Sequence, residues 1–99
     1  MTKFTRYVIL LSLNSGKRLT EDLIRKHIAF LRKLEQNGQL ELCGPLSDYE
    51  GGMVIIRASS CEEARSVAES GPFVSTGTES YELRAWQLSC EENNHLGAG

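Results

Sequence analysis

The chain predicts an α+β fold, a ferredoxin-like βαββαβ sandwich. Its four-stranded antiparallel sheet would run in the order 4-1-3-2, with both helices on one face. Three observations carry this. Stretches 7–13 and 53–56 are apolar at nearly every position and need cover on both faces, as inner strands do. Stretches 40–43 and 81–88 alternate apolar with polar, as edge strands do. Two helical stretches separate the first strand from the second and the third from the fourth.

Taken in order, Tyr7-Val8-Ile9-Leu10-Leu11-Ser12-Leu13 is the first strand and Asn14-Ser15-Gly16 breaks it. Residues 20–38 form the longest periodic segment. Leu23, Ile24, His27, Ile28, Leu31 and Leu34 recur at three- and four-residue steps, which places them on one helix face. Thr20 is the cap, Glu21 and Asp22 favour the positive end of the helix dipole, and Leu19 and Ile24 are spaced for a hydrophobic staple. Gly38 supplies a left-handed stop. After the second strand Gly44-Pro45 turns the chain, and residues 48–52 have the composition of a hairpin loop.

Ser59 and Ser60 each stand three residues before a glutamate, Glu62 and Glu63, so either pair opens the second helix as a capping box. That helix runs to about position 70 with Ala64, Val67 and Ala68 inward, and Gly71-Pro72-Phe73 ends it. In the last strand Tyr81, Leu83 and Ala85 share one side, and Glu82, Arg84 and Trp86 share the other. Residues 91–99 are polar and glycine-ended, and are expected as a flexible tail on a single domain of residues 1–90.

Charge and composition exclude several classes. The net charge is −2 and lysine and arginine are scattered, which argues against a nucleic-acid partner. No apolar run approaches the roughly 20 residues that span a bilayer, so no membrane role is expected. The first residues lack the basic lead and cleavage site of a signal peptide. The three cysteines (Cys43, Cys61 and Cys90) cannot all pair within one chain, which fits a reducing, cytoplasmic setting. The first strand also carries apolar residues in both parities: Val8 and Leu10 in one, Ile9 and Leu11 in the other. One set must face away from the helices, and a second copy packed sheet to sheet would cover it, which predicts a homodimer.

The run His27-x3-Leu31-x2-Leu34-x3-Gly38 is followed by Gly44-Pro45-Leu46, Gly51-Gly52-Met53 and Ser60-x-Glu62-Glu63-Ala64. Pro72-Phe73 and Tyr81-Glu82-x-Arg84-x-Trp86 complete the set. In order and spacing these motifs, from about Tyr7 to Leu88, resemble the YciI-like (YCII-related) family. The resemblance implies a dimeric α/β-barrel of ferredoxin-like subunits, related in fold to muconolactone isomerase, and a cytoplasmic protein with no cofactor. A dehydrochlorinase acting on a chlorinated hydroxyquinol is among the family's few assigned activities. The family's proposed chemistry centres on a His–Asp pair. His27 matches the histidine. The aspartate stands directly before Pro-Phe or Pro-Tyr, and here that position is Gly71.

His27 is therefore the candidate catalytic residue, a general acid or base whose unperturbed pKa lies near 6.5. Its structural alternative is a partly buried helix histidine satisfied by a backbone carbonyl. Asp48 and Glu82 are the acids placed by motif to stand in for the missing aspartate, although each reads first as solvated surface. Tyr7, Phe73, Tyr81 and Trp86, with Asp48, are the candidate substrate-binding residues for a ring compound, and the aromatics read equally as core or interface. Cys61 near a helix start has Glu62 and Glu63 beside it, which oppose a thiolate. His27 and His95 share no ligand spacing with a cysteine or carboxylate, so no metal site is predicted.

Two functions fit. One is cofactor-independent acid/base chemistry, of isomerase or dehydrochlorinase type, on a small cyclic or aromatic compound. The other is a non-catalytic small-molecule-binding or structural dimer without the dyad.

Overall fold

The computed structural model describes residues 3–97. Its elements are β1 (Thr5–Leu13), α1 (Glu21–Gln36), β2 (Leu40–Pro45), β3 (Gly51–Ile56), α2 (Cys61–Ser70), α3 (Pro72–Ser75) and β4 (Glu79–Gln87). The sheet runs β2-β3-β1-β4, and its strands pair antiparallel throughout. This is the ferredoxin-like order expected from the sequence, with the two most apolar strands, β1 and β3, in the middle. Among the described residues no helix is long and apolar enough to cross a membrane.

Register assigns the faces. Tyr7 lies opposite Ile56 and Ile9 opposite Val54, and all four are buried with Leu34, Ala64, Ala68 and Phe73 in one core beneath the helices. Ile56, fully buried, sits at the centre. The other parity, Val8 opposite Ile55 and Leu10 opposite Met53, faces away from the helices. Leu42 and Trp86 flank that outer face and are exposed.

The caps explain where the helices begin and end. Thr20 accepts a hydrogen bond from the Leu23 N–H at 3.2 Å. At the other end Gln39 N–H reaches Leu34 O and Gly38 N–H reaches Glu35 O, with Gly38 at φ +73°, which is a Schellman stop. For α2 the choice between two serines is settled. Ser60 accepts from Glu63 N–H at 3.1 Å, while the Glu63 carboxylate reaches back to the Ser59 N–H at 2.8 Å.

Three features differ from the sequence-based expectation. Gly44-Pro45 does not turn the chain but continues β2, pairing with Met53 and Gly52, and the connection follows at residues 46–50. Gly71 holds φ −66° and ψ 141°, ordinary extended backbone, and Pro72–Ser75 forms a further helical turn, with proline at its start where no N–H is needed. The apolar face of α1 is also rotated. Leu23, Phe30, Leu31 and Leu34 pack on the core, whereas Ile24 and Ile28 remain exposed over a cavity. Beyond β4, residues 91–97 form successive tight turns, in which Asn93 bonds Cys90 N–H and Leu88 O. The last two positions of the expected tail lie outside the described residues.

Candidate functional site

His27 projects from the middle of α1 toward the first turn of α3. Its imidazole stacks on the Phe73 ring, with centroids 4.0 Å apart and planes 12° from parallel, and Phe30 lies tilted at 6.4 Å. Phe73 can meet it because Gly71-Pro72 redirects the chain after α2 into the short α3. Among the described residues no carboxylate or carbonyl is hydrogen-bonded to the imidazole. Partial burial holds its pKa below the usual histidine value, so the neutral base is favoured.

Beside this ring pair is a cavity of about 400 Å³, within the usual size for small-molecule sites. Its walls are apolar: Leu11 and Val54 from the sheet, Leu31 from α1 and Phe73 from α3. Leu19, Ile24 and Ile28, each about two-fifths exposed, form its mouth. Leu19 and Ile24, spaced as a helix staple, are thus also cavity residues. Two glycines line the β2–β3 side, where neighbouring strand backbone comes close. A Cβ on Gly51 would run into the Leu11 carbonyl oxygen, and one on Gly52 would lie 3.0 Å from the Gly44 carbonyl oxygen.

Glu79, the first residue of β4, also lines this cavity. It is 4% exposed, and its Oε1 is sealed from solvent with no hydrogen-bond partner among the described residues. Burial pushes its pKa up, since ionising a carboxyl away from water is costly. The local chain fixes its position. Gly77 at φ +75° turns the backbone out of α3. Asn14 then clamps the start of β4: its N–H bonds Thr78 O at 3.0 Å, its side-chain amide bonds Gly77 O at 2.9 Å, and Ser80 Oγ donates to it at 2.6 Å. The cavity therefore holds a neutral imidazole and a buried carboxyl within otherwise apolar walls. Such a set can accept a proton at one point and donate a hydrogen bond at another.

The structure brings together two of the candidate residues, His27 and Phe73. The others lie elsewhere. Tyr7 is buried in the core, and Asp48 is exposed in the β2–β3 loop. Tyr81 is half-buried, and its hydroxyl donates to Glu69 at 2.8 Å. Trp86 is exposed on the outer face, and Glu82 is also exposed. Gly71 does border a small void next to His27, but the space a side chain there would enter is filled by the Phe30 ring, 3.1 Å from an ideal Cβ. Glu79 escaped the sequence reading although a signal existed, because it continues the parity of Tyr81 and Leu83 two residues back. Among the described residues no group of three or more His, Cys, Asp or Glu side chains is arranged to hold a metal ion.

A ferredoxin-like sandwich with a cavity between one helix and its sheet defines the class. Within that class, residues 5–87 match the YCII-related domain, and the chain belongs to that family. A curated relative, the uncharacterized protein YjpA of Bacillus subtilis, is 29% identical over 82 residues, covering 83% of this chain and 96% of its own. A similar solved structure is the 5-chloro-2-hydroxyhydroquinone dehydrochlorinase TftG of Burkholderia phenoliruptrix, in complex with 2,5-dihydroxybenzoquinone. It superposes with a TM-score of 0.71 at 22% identity, covering 83% of this chain and 93% of that one, a likeness of fold.

Proposed function

We propose that the cavity between α1 and the sheet binds a small, planar, cyclic or aromatic compound, and that His27 performs cofactor-independent proton transfer on it. The observation that carries this reading is the half-buried imidazole, stacked on Phe73, held neutral and hydrogen-bonded to nothing among the described residues. A structural histidine would have its ring nitrogens spoken for. This one keeps them for a ligand, beside an apolar space of matching size. The fold shared with a dehydrochlorinase that holds a ring compound supports a related chemistry. In such a step one hydroxyl proton moves to the chlorine-bearing ring carbon as that hydroxyl becomes a carbonyl, and the base then takes a second hydroxyl proton as chloride leaves, so that HCl is lost and a hydroxyquinone remains.

The chain would work as a homodimer in the cytoplasm. Val8, Leu10, Met53 and Ile55 make the middle of the outer face apolar, with exposed Leu42 and Trp86 beside them and Glu82 and Arg84 of β4 at its rim. A specific dimer would bury at least about 1,000 Å² there. Sedimentation at micromolar concentration should give a dimer.

The direct test is chloride release from 5-chloro-2-hydroxyhydroquinone by the parent and by His27→Ala. Release by the parent that falls at least about a hundredfold in the variant supports proton transfer. Equal rates would overturn it. A second reading, a binding protein without turnover, is favoured by Gly71 in place of the family's aspartate. It predicts ring-compound binding that depends on Phe73, with no chloride released.

A further inference from the structure

Glu79 is not one of the family motif positions matched above, and its Oε1 has no hydrogen-bond partner among the described residues. Its side chain is nineteen-twentieths buried or more, lines the same cavity as His27, and has an oxygen sealed without a partner. Asn14 bonds the backbone carbonyls of Gly77 and Thr78 before it and accepts from the Ser80 hydroxyl after it, so the carboxyl is presented from a fixed strand end. A buried polar group is normally satisfied, and an exception calls for a missing partner. Apart from His27 and Cys43 the cavity walls are apolar, and no described side chain is hydrogen-bonded to that oxygen, so the open cavity is where a partner would come from.

We infer that the Glu79 carboxyl donates a hydrogen bond to an oxygen of the ring compound held beside His27. On this inference the cavity selects carbonyl- or hydroxyl-bearing rings over plain hydrocarbons. The inference rests on the binding site proposed above and adds its chemical selectivity. Burial favours the protonated carboxyl, the only form that can donate. The other titratable groups lining the cavity are His27 from α1 and Cys43 from β2, while β1, β3 and α3 contribute none among the described residues. The division of labour follows from the two environments. The imidazole is a neutral acceptor stacked on an aromatic face, and the carboxyl is a donor. A ligand satisfying both has an oxygen acceptor and an acidic hydrogen on one small ring, as in phenols, enols and hydroxyquinones.

Two nearly isosteric probes isolate the hydrogen bond: acetophenone, whose carbonyl accepts, and α-methylstyrene, whose methylene does not. Their affinities for the folded chain, for Glu79→Gln and for Glu79→Leu are measured by ligand-observed NMR from about pH 5 to about pH 8. The parent should prefer acetophenone by about five- to tenfold at the acid end, the ratio one net hydrogen bond provides. That preference should fade as pH rises through the Glu79 pKa. Glu79→Gln, a donor that does not titrate, should keep the preference across the range. Glu79→Leu should lose it while still binding α-methylstyrene. Equal binding of the two probes by the parent, or an unchanged preference in Glu79→Leu, overturns the role of Glu79 and leaves the cavity as a ligand site. Failure of both probes to bind overturns the ligand site and this inference with it.

Discussion

Glu41 and Glu79 are two carboxylates set on edge strands of one sheet, and their surroundings are opposite. Glu41, at the register shift of β2, meets Arg6 and Arg57, the latter at 2.9 Å. Burial alone would raise its pKa, but hydrogen bonds and charge from Arg57 and Arg6 outweigh that and hold it below the usual range. Among the described residues Glu79 on β4 meets no such cation, and burial pushes its pKa up. Arg6, only 8% exposed, is in turn neutralised by Glu41 and donates to the carbonyls of Lys3 and Thr5. The pairing at Glu41 is therefore complete within the chain. That at Glu79 is not, and the cavity beside it is where completion would come from. A satisfied carboxylate holds structure together, and an unsatisfied one marks a place for something else.

The largest expected effect is a difference of sign between the two. Glu41→Ala strands the buried Arg6 charge and should cost about 2–3 kcal/mol in urea unfolding. Glu79→Leu removes an unpartnered buried carboxyl and should add about 1–2 kcal/mol. Loss of stability in both variants would mean that Glu79 has a structural partner, and the comparison would fail.

Next is the response to pH. The folded pKa of Glu79 lies above its unfolded value, so its contribution is fully present below the unfolded pKa and is lost as pH rises through the folded one. Glu41 is depressed, so its contribution is present above the unfolded pKa and is lost as pH falls through the folded one. Urea midpoints for Glu79→Gln should gain on the parent as pH rises from about 4.5, whereas those for Glu41→Gln should gain on the parent only as pH falls below about 4.5. Parallel curves for the two variants would erase the distinction between them.

A smaller effect concerns the histidine sharing the cavity with Glu79. Its contacts are ring contacts, so His27→Leu strands no hydrogen-bond partner. The variant should fold with a change within about 1 kcal/mol of the parent, on the stabilising side, because apolar area replaces a desolvated imidazole. A loss above about 1 kcal/mol, with ring-compound binding intact, would reassign His27 to the core.

The parts of this fold that were legible in the sequence are those where local pattern and tertiary need coincide. Ile9 and Val54 sit in continuously apolar stretches because both faces of an inner strand are covered, and that needs no knowledge of the partner strand. Thr20 and Gly38 mark helix ends through their own backbone chemistry. The remainder depends on what the fold carries into contact. Pro72–Ser75 is too short to show a period, so the turn that delivers Phe73 to His27 was not legible. Asp48 and Glu82 were plausible acids by motif, yet a loop and an exposed strand position leave them in water. The position vacated at Gly71 is filled from another helix by Phe30, a match between residues 41 apart that no local pattern announces. Glu79 lay in the inward parity of β4, but an acid at an inward position reads as a strand end until the cavity beside it is seen.

The smallest expected effect tests whether the two polar groups of the cavity differ in charge as their surroundings imply. Burial lowers the pKa of His27 and raises that of Glu79, so their titrations approach each other. When they overlap, the apparent values belong to the pair. If Glu79 is still largely protonated when His27 titrates, it is neutral, and replacing it by glutamine removes no charge. The His27 pKa in Glu79→Gln, followed by NMR of the ring protons, should then stay within about 0.3 units of the parent. If Glu79 were already ionised, its negative charge would be favouring the imidazolium, and glutamine would lower the His27 pKa further, by about half a unit or more. Glu41→Gln provides the control: its carboxylate engages Arg6 and Arg57 away from the cavity lining, so removing it should leave His27 unmoved. A marked fall in Glu79→Gln alone would show an anionic Glu79 beside the imidazole. That would make the pair a charge-stabilised dyad and reverse the assignment of donor and acceptor in the cavity.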